Sequence, residues 1–340
     1  MYPERSFDYD DAARAADFVC DRMLEQGLNP DNIQEGMTLG SGLGSFADQQ
    51  MPDALAIPYS EIYERLNRVA NRPPIQFSDK AVPGHAKKLV VGPLKGDSES
   101  EIVIGQSGRE HLYERGISPQ RATFWLRVMQ LMKAKAWIGS NASGAITPHT
   151  LMPPTIMLVE GHQDPTNDNS LFKGEHDDRF GPQFPHLFNL YNRELLDLFD
   201  KVATEEGIEV ARGLYWRVAG PNYEQTSDVY HMRAVLEVIF AQAQKQEAEW
   251  VYQGPVVGAV GMSSTYEALV VQHASQSSSH SAFLHGSALL SAVTNYSASL
   301  GPNGFVVPSN HEEVGENAAR IEAQFARLVI GGIRGLRKAY

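Results

Sequence analysis

The 340-residue chain predicts a single α/β domain, and three observations carry that expectation. Short apolar runs suited to strands alternate with longer stretches at helical spacing. Hydrophobic residues make up 42% and charged residues 21%, ample material for one large core. The chemically versatile residues Ser41, Arg109, Asn141, Glu224, Met262 and Asn295 each sit just beyond an apolar run. Ligands of α/β folds bind beside strand ends, so the pattern argues for one composite site rather than separate domains.

The net charge of −12 opposes binding to nucleic acid or an anionic membrane. A small anion would need positive charge concentrated locally. Cys20 is the single cysteine, which excludes an internal disulfide framework and fits a reducing compartment. The first ten residues are acidic and have no apolar segment, unlike a signal peptide. No run approaches the roughly 18 apolar residues of a membrane-spanning helix. The expected location is cytoplasmic.

Residues 10 to 26 carry Ala12, Ala16, Val19 and Met23 at helical spacing, ended by Gly27 and Pro30. Met37-Thr38-Leu39 predicts a strand that runs into the glycine-rich turn Gly40-Ser41-Gly42-Leu43-Gly44-Ser45. Its spacing is neither G-x-G-x-x-G nor that of a P-loop, so it reads as a tight connection whose amides could approach a ligand. Residues 50 to 80 read as irregular surface chain. Leu89-Val90-Val91 and Ile102-Val103-Ile104, joined by a short polar turn, predict a hairpin. A long amphipathic helix is expected over 119 to 135, then a strand at 136 to 139 ending in the small residues 140 to 145. Thr155 to Val159 predicts the next strand.

The polar segment 161 to 185 reads as a solvated loop, with Phe180 and Phe184 as packing points. Its His162 and His176 match no tight metal spacing. A helix follows from about 188 to 204, a strand over 213 to 219 and a helix over 225 to 240. The apolar run 256 to 260 predicts a buried strand, and the next helix carries Glu267 and Val271. A serine-rich connection leads to a last strand over 289 to 294. A long helix from about 310 to 335 closes the chain.

One stretch stands out, Gly108-Arg109-Glu110-His111-Leu112-Tyr113-Glu114. If the preceding strand continues, Arg109, His111 and Tyr113 alternate onto one side. A guanidinium and an imidazole facing the same way suit an oxyanion such as phosphate.

The ordered set of motifs resembles the trimeric purine nucleoside phosphorylases, a family that includes methylthioadenosine phosphorylase. The resemblance runs from about Phe7 to the C-terminal helix. It rests on Gly40-Ser41-Gly42-Leu43-Gly44, Pro83-Gly84-His85-Ala86, the Gly108 to Glu114 stretch, Asn141-Ala142-x-Gly144 and Arg179-Phe180-Gly181. Further on it rests on Ala219-Gly220-Pro221-x-Tyr223-Glu224, Gly261-Met262-Ser263, Thr294-Asn295 and His311-Glu312-Glu313-Val314.

The resemblance implies one domain over residues 1–340 with a central mixed twisted sheet, partly barrel-like and flanked by helices. Surface extensions are expected near 241–254 and 275–283. It also implies reversible phosphorolysis of 6-oxopurine nucleosides, without metal or cofactor, with phosphate as co-substrate. Phosphate would lie on Ser41, Arg109, His111, the Ala142 amide and Ser263, with His85 nearby. The ribose would lie near Tyr113, Met262 and His311, with Phe180 supplied by a neighbouring subunit of a homotrimer. The purine would stack on Tyr223 and be recognised by Glu224 and Asn295. Asn at 295 goes with 6-oxopurines in this family, whereas methylthioadenosine enzymes usually carry Asp. Methylthioadenosine phosphorylase and an inactive nucleoside-binding relative are the competing readings. Departures from the family pattern stand at Glu110, Ser143, Ser264 and Gln225 to Asp228.

Overall fold

The computed structural model describes residues 7–40, 44–69, 72–75, 86–114, 116–166, 170–173, 176–245, 254–306 and 311–340. Ser41 and His85 lie outside them, and His311 is described by its backbone alone, as the first residue of the C-terminal helix.

The elements run α1 (Tyr9–Glu25), β1 (Ile33–Leu39), α2 (Gly44–Gln50), β2 (Leu55–Pro58), α3 (Tyr59–Asn67), β3 (Lys88–Pro93) and β4 (Ile102–Ser107). Then come α4 (Pro119–Ala122), α5 (Phe124–Leu131), β5 (Ala136–Ala145), β6 (Thr155–Gln163), α6 (Arg193–Glu206) and β7 (Val210–Arg217). The chain ends with α7 (Thr226–Lys245), β8 (Gly258–Gly261), α8 (Thr265–Ser275), β9 (Ser287–Tyr296) and α9 (His311–Ala339).

A single mixed sheet organises these elements in the order β2-β3-β4-β1-β5-β8-β7-β6-β9. Strand β9 also pairs with β5, so β5, β8, β7, β6 and β9 close into a ring while β1 to β4 extend from it as an open flap. This is the partly closed barrel that the family resemblance implied. Closure removes free edges from the ring and brings the β5 and β9 backbones together along nearly their whole length.

The predicted hairpin is β3 and β4, paired antiparallel from Lys88↔Ser107 to Pro93↔Ile102. One group of helices, α1, α3, α5 and α8, packs together, and α6 and α9 pack against each other and against β6 and β9. Helix α7 covers the ring with Val229, Met232, Leu236 and Phe240, against Leu214, Trp216 and Val260. Glu35 on β1, 2% exposed, takes the Arg337 guanidinium of α9 at 2.6 Å, which ties the last helical turn to the sheet.

Four local expectations change. Residues 55 to 67 form a strand and a helix, not irregular chain. Tyr59, Ile62, Tyr63 and Leu66 sit at helical spacing and are buried, a pattern the polar flanks hide. The helix expected over 119 to 135 breaks at Thr123, whose hydroxyl donates back to the Pro119 carbonyl at 2.8 Å. Residues 161 to 163 belong to β6 rather than to a loop, and α7 runs on through Lys245 with Ala243 buried. Residues 246–253 lie outside the described set.

The serine-rich connection is pinned by Ser277, which donates to the Arg179 carbonyl, and by buried Ala282 and Phe283. Among the described residues no helix is long and apolar enough to cross a membrane.

Candidate active site

Strand β4 ends at Ser107, and Gly108 then takes a φ of +81°, so the expected alternation of Arg109, His111 and Tyr113 does not occur. The chain instead turns, with the His111 amide donating to Glu114 Oε1 at 2.7 Å. The turn still brings the His111 and Tyr113 rings together, stacked at 4.8 Å.

Arg109 is 2% exposed and aimed by three partners. Nη1 donates to Ser263 Oγ at 2.9 Å, Nη2 to the Ser140 carbonyl at 2.8 Å, and Nε lies 3.0 Å from Glu267 Oε1. Glu267 is a residue that sequence reasoning passed over. Its signal was a carboxylate directly before the apolar run 268–271 of the buried helix α8, where an acid needs a cationic partner.

Glu110 does not oppose an anion beside Arg109, as its position in the chain suggested. Its carboxylate turns away, accepts from Arg121 Nη2 at 2.6 Å and from Tyr63 Oη at 2.9 Å, and is buried with them.

Burial holds the His111 imidazole below its ordinary pKa, and the Arg109 charge acts in the same direction against the opposing pull of Glu114. Burial also pushes the Tyr113 phenol up to about 12, helped by the Glu114 charge.

Gly40 explains the glycine turn after β1. A Cβ there would stand 2.5 Å from the Ser140 carbonyl oxygen and 3.0 Å from Asn141 Cα, so β1 leaves the sheet in backbone contact with β5. Asn141 and Ala142 lie within β5, in register with Ser291 and Ala292 of β9, because β5 extends to Ala145 rather than ending at 139.

Met262 follows β8 directly, and Gly220 lies close to both Met262 and Tyr113. A Cβ on Gly220 would be 2.5 Å from Met262 Sδ and 3.2 Å from Tyr113 Cδ1. The Gly220 segment continues to Tyr223 and Glu224, which line a 680 Å³ cavity together with Asn295. Glu224 Oε2 accepts from Ser297 Oγ at 2.8 Å. Asn295 Nδ2 donates to the Tyr296 carbonyl at 3.2 Å. Tyr215 stands between the halves, buried, with its hydroxyl raised first by burial and sensing the charges of Arg109, Glu267 and Glu224.

Phe180 lines a different cavity of 480 Å³ with Tyr9 and Arg127; the guanidinium stands over its ring at 4.5 Å. Phe184, expected to pack, is 86% exposed. His162 faces Tyr191 Oη at 3.1 Å, and His176 faces Asp178 at 3.0 Å. Among the described residues no group of three or more His, Cys, Asp or Glu side chains is placed to hold a metal ion.

The phosphorylase superfamily model matches residues 56–334. Purine nucleoside phosphorylase 1 of Bacillus subtilis is 30% identical over 318 residues, covering 93% of this chain and 95% of that protein. The purine nucleoside phosphorylase of Bos taurus is 27% identical and covers 88% and 89%. Among solved structures, the Schistosoma mansoni purine nucleoside phosphorylase in complex with inosine is 25% identical, with a TM-score of 0.70 and 96% coverage of both chains. The Schistosoma enzyme in complex with hypoxanthine matches at the same TM-score of 0.70. The chain therefore belongs to the phosphorylase superfamily and, within it, to the purine nucleoside phosphorylases, which are pentosyltransferases that use phosphate.

Proposed function

We propose that the protein cleaves 6-oxopurine nucleosides, inosine and guanosine and their deoxy forms, reversibly with phosphate. The products are the free base and (deoxy)ribose 1-phosphate. The observation that carries this reading is the cavity in which Tyr223, Glu224 and Asn295, from two distant parts of the chain, meet.

Phosphate is assigned to Arg109, His111, Ser263 and the Ala142 amide; the family resemblance adds Ser41 and His85, which lie outside the described residues. Arg109 supports this role because its guanidinium is already oriented and partly neutralised by Glu267. A fixed cation in a dry site stabilises an anion without reorganising. A neutral His111 imidazole, favoured by burial, can donate to phosphate from one nitrogen.

Tyr113 and Met262, both close to Gly220, are assigned to the ribose. His311 is assigned to the sugar hydroxyls. In the reaction the C1′–N9 bond breaks, its electron pair passes to the purine, a phosphate oxygen forms the new bond at C1′, and the proton that hydrogen phosphate gives up ends on the free base. Asn295 donates to N7, a bond that strengthens as negative charge gathers on the leaving base, while Glu224 accepts from N1–H and selects the 6-oxo form of the purine. Phosphate held in line supplies the proximity term.

The exposed aromatic pair Phe184 (86%) and Phe188 (79%), beside the Phe180 segment, supports a homo-oligomer in which Phe180 reaches a neighbouring site. A trimer is the assembly proposed, in the cytoplasm. Inosine cleavage followed with and without phosphate tests the reaction, and phosphate-independent cleavage would overturn it. Asn295→Asp tests the base assignment: preference should move toward 6-amino purines by about tenfold, and an unchanged ratio would remove Asn295 from recognition.

A further inference from the structure

Behind the two halves of the site runs a file of buried polar side chains that the reaction scheme does not use. On the purine side, Thr294 Oγ1 lies 3.1 Å from Asn295 Oδ1 and 3.3 Å from the Ser143 carbonyl oxygen. Ser143 Oγ lies 2.7 Å from Ser291 Oγ, and Ser291 donates to Asn141 Oδ1 at 2.6 Å. Asn141 Nδ2 then donates to Ser264 Oγ at 3.1 Å. Ser264 caps α8 and follows Ser263, whose hydroxyl accepts from Arg109 at 2.9 Å.

The file thus begins beside the Asn295 amide and ends beside the Arg109 cation. Thr294 and Ser291 are 0% exposed, Asn141 and Ser264 1%, and Ser143 5%, so water cannot readily stand in for a missing member.

Proton direction makes the file act as a unit. Ser291 has one proton and gives it to the Asn141 carbonyl oxygen, so it must accept from Ser143. Asn141 turns its amide nitrogen to Ser264, which accepts there and keeps its own proton to donate. Turning the Asn141 amide over would oblige Ser264 and Ser291 to reverse with it. Ser143 and Ser264 are two of the positions where the chain departs from the family pattern, and hydrogen bonds through Asn141 and Ser291 connect the two.

We propose that this file couples the anion cradle to the purine pocket, with Ser143 as its positioning residue. An anion that draws on Arg109 and Ser263 shifts Ser264 and, through Asn141 and Ser291, resets Ser143. Its carbonyl shares the single Thr294 hydroxyl proton with Asn295 Oδ1, so a shift at Ser143 alters the Thr294–Asn295 bond. The inference rests on the phosphorylase reading. Coupling is reciprocal, so phosphate tightens the base as much as the base tightens phosphate.

Calorimetric titration of hypoxanthine into the full-length enzyme, with and without inorganic phosphate, reads the coupling without turnover. Phosphate should tighten hypoxanthine binding by about fivefold or more. Ser143→Ala and Ser291→Ala should each bring that factor close to one, and the double variant should lose no more than either alone. A purely structural role would lower thermal stability and leave the factor intact. A wild-type factor of one, or full coupling in a folded Ser143→Ala or Ser291→Ala protein, overturns the proposal. Inosine phosphorolysis on the same samples separates the outcomes: intact cleavage with unaltered coupling sinks only the file, whereas no phosphate-dependent cleavage by wild type sinks the functional reading itself.

Discussion

The two halves of the candidate site are built differently. On the phosphate side, Arg109 is 2% exposed and held by partners drawn from other elements, and His111, 8% exposed, is held by Glu114 in its own turn. On the purine side, Tyr223 is 56% exposed, and Glu224 is steadied by one hydroxyl. Strand ends and the buried α8 acid set the first half in advance. The second half stands on the connection between β7 and α7, where side chains can adapt to a base. The difference teaches that the anion side supplies preorganised charge, while the base side supplies a surface that forms around its ligand.

Arg109→Met should break this asymmetry most severely. Loss of the buried cation should lower kcat/KM about 10²–10³-fold, with KM for phosphate rising and base binding in the absence of phosphate retained. Equal losses for phosphate and base binding would show that the halves are not separate in kind.

Glu110→Gln probes the same segment from behind. It leaves Arg121 buried without its carboxylate, so unfolding free energy should drop by about 3 kcal/mol in denaturant melts while KM for phosphate stays near wild type. A large change in phosphate KM would place Glu110 in the cradle after all.

The ring has its own pH signature. Burial lowers the His162 pKa to about 4, whereas the unfolded imidazole titrates near its ordinary value of 6.5. Between those values the unfolded chain binds the extra proton, so stability is lost as pH falls from 6.5 to about 4 and is unaffected above 6.5. The expected contribution is on the order of 1–3 kcal/mol. Denaturant midpoints at pH 7 and pH 5 should diverge less in His162→Asn than in wild type; equal divergence would discard this assignment.

Tyr223→Ala should give the smallest change. Loss of one exposed stacking face is worth about 0.5–1.5 kcal/mol, so nucleoside KM should rise severalfold with kcat near wild type. A kcat loss as large as that of Arg109→Met would mean that Tyr223 orders the site rather than merely covers it.

Much of the framework was legible in residue patterns. Apolar runs located β3, β4, β6 and β9, and the ordered motifs brought Tyr223, Glu224 and Asn295 to one cavity. Ring closure was not readable from periodicity, because β5–β9 pairing is a long-range contact between two apolar strands that carries no local signal. The direction of Glu110 was equally hidden. One positive φ at Gly108 decides which way three successive side chains point, and glycine spacing alone does not reveal it. Glu267 was visible as a residue but not as a partner, since the arginine it neutralises lies far away in sequence.

The Glu35–Arg337 pair gives the chain terminus a weight its position would not suggest. Trimming four residues from the end would strand a carboxylate that is 2% exposed, a loss on the scale of a disrupted buried ion pair, about 3–5 kcal/mol. Tyr340, 71% exposed, leaves room for a fusion or affinity tag to be appended. The enzyme should therefore tolerate lengthening at this end far better than truncation.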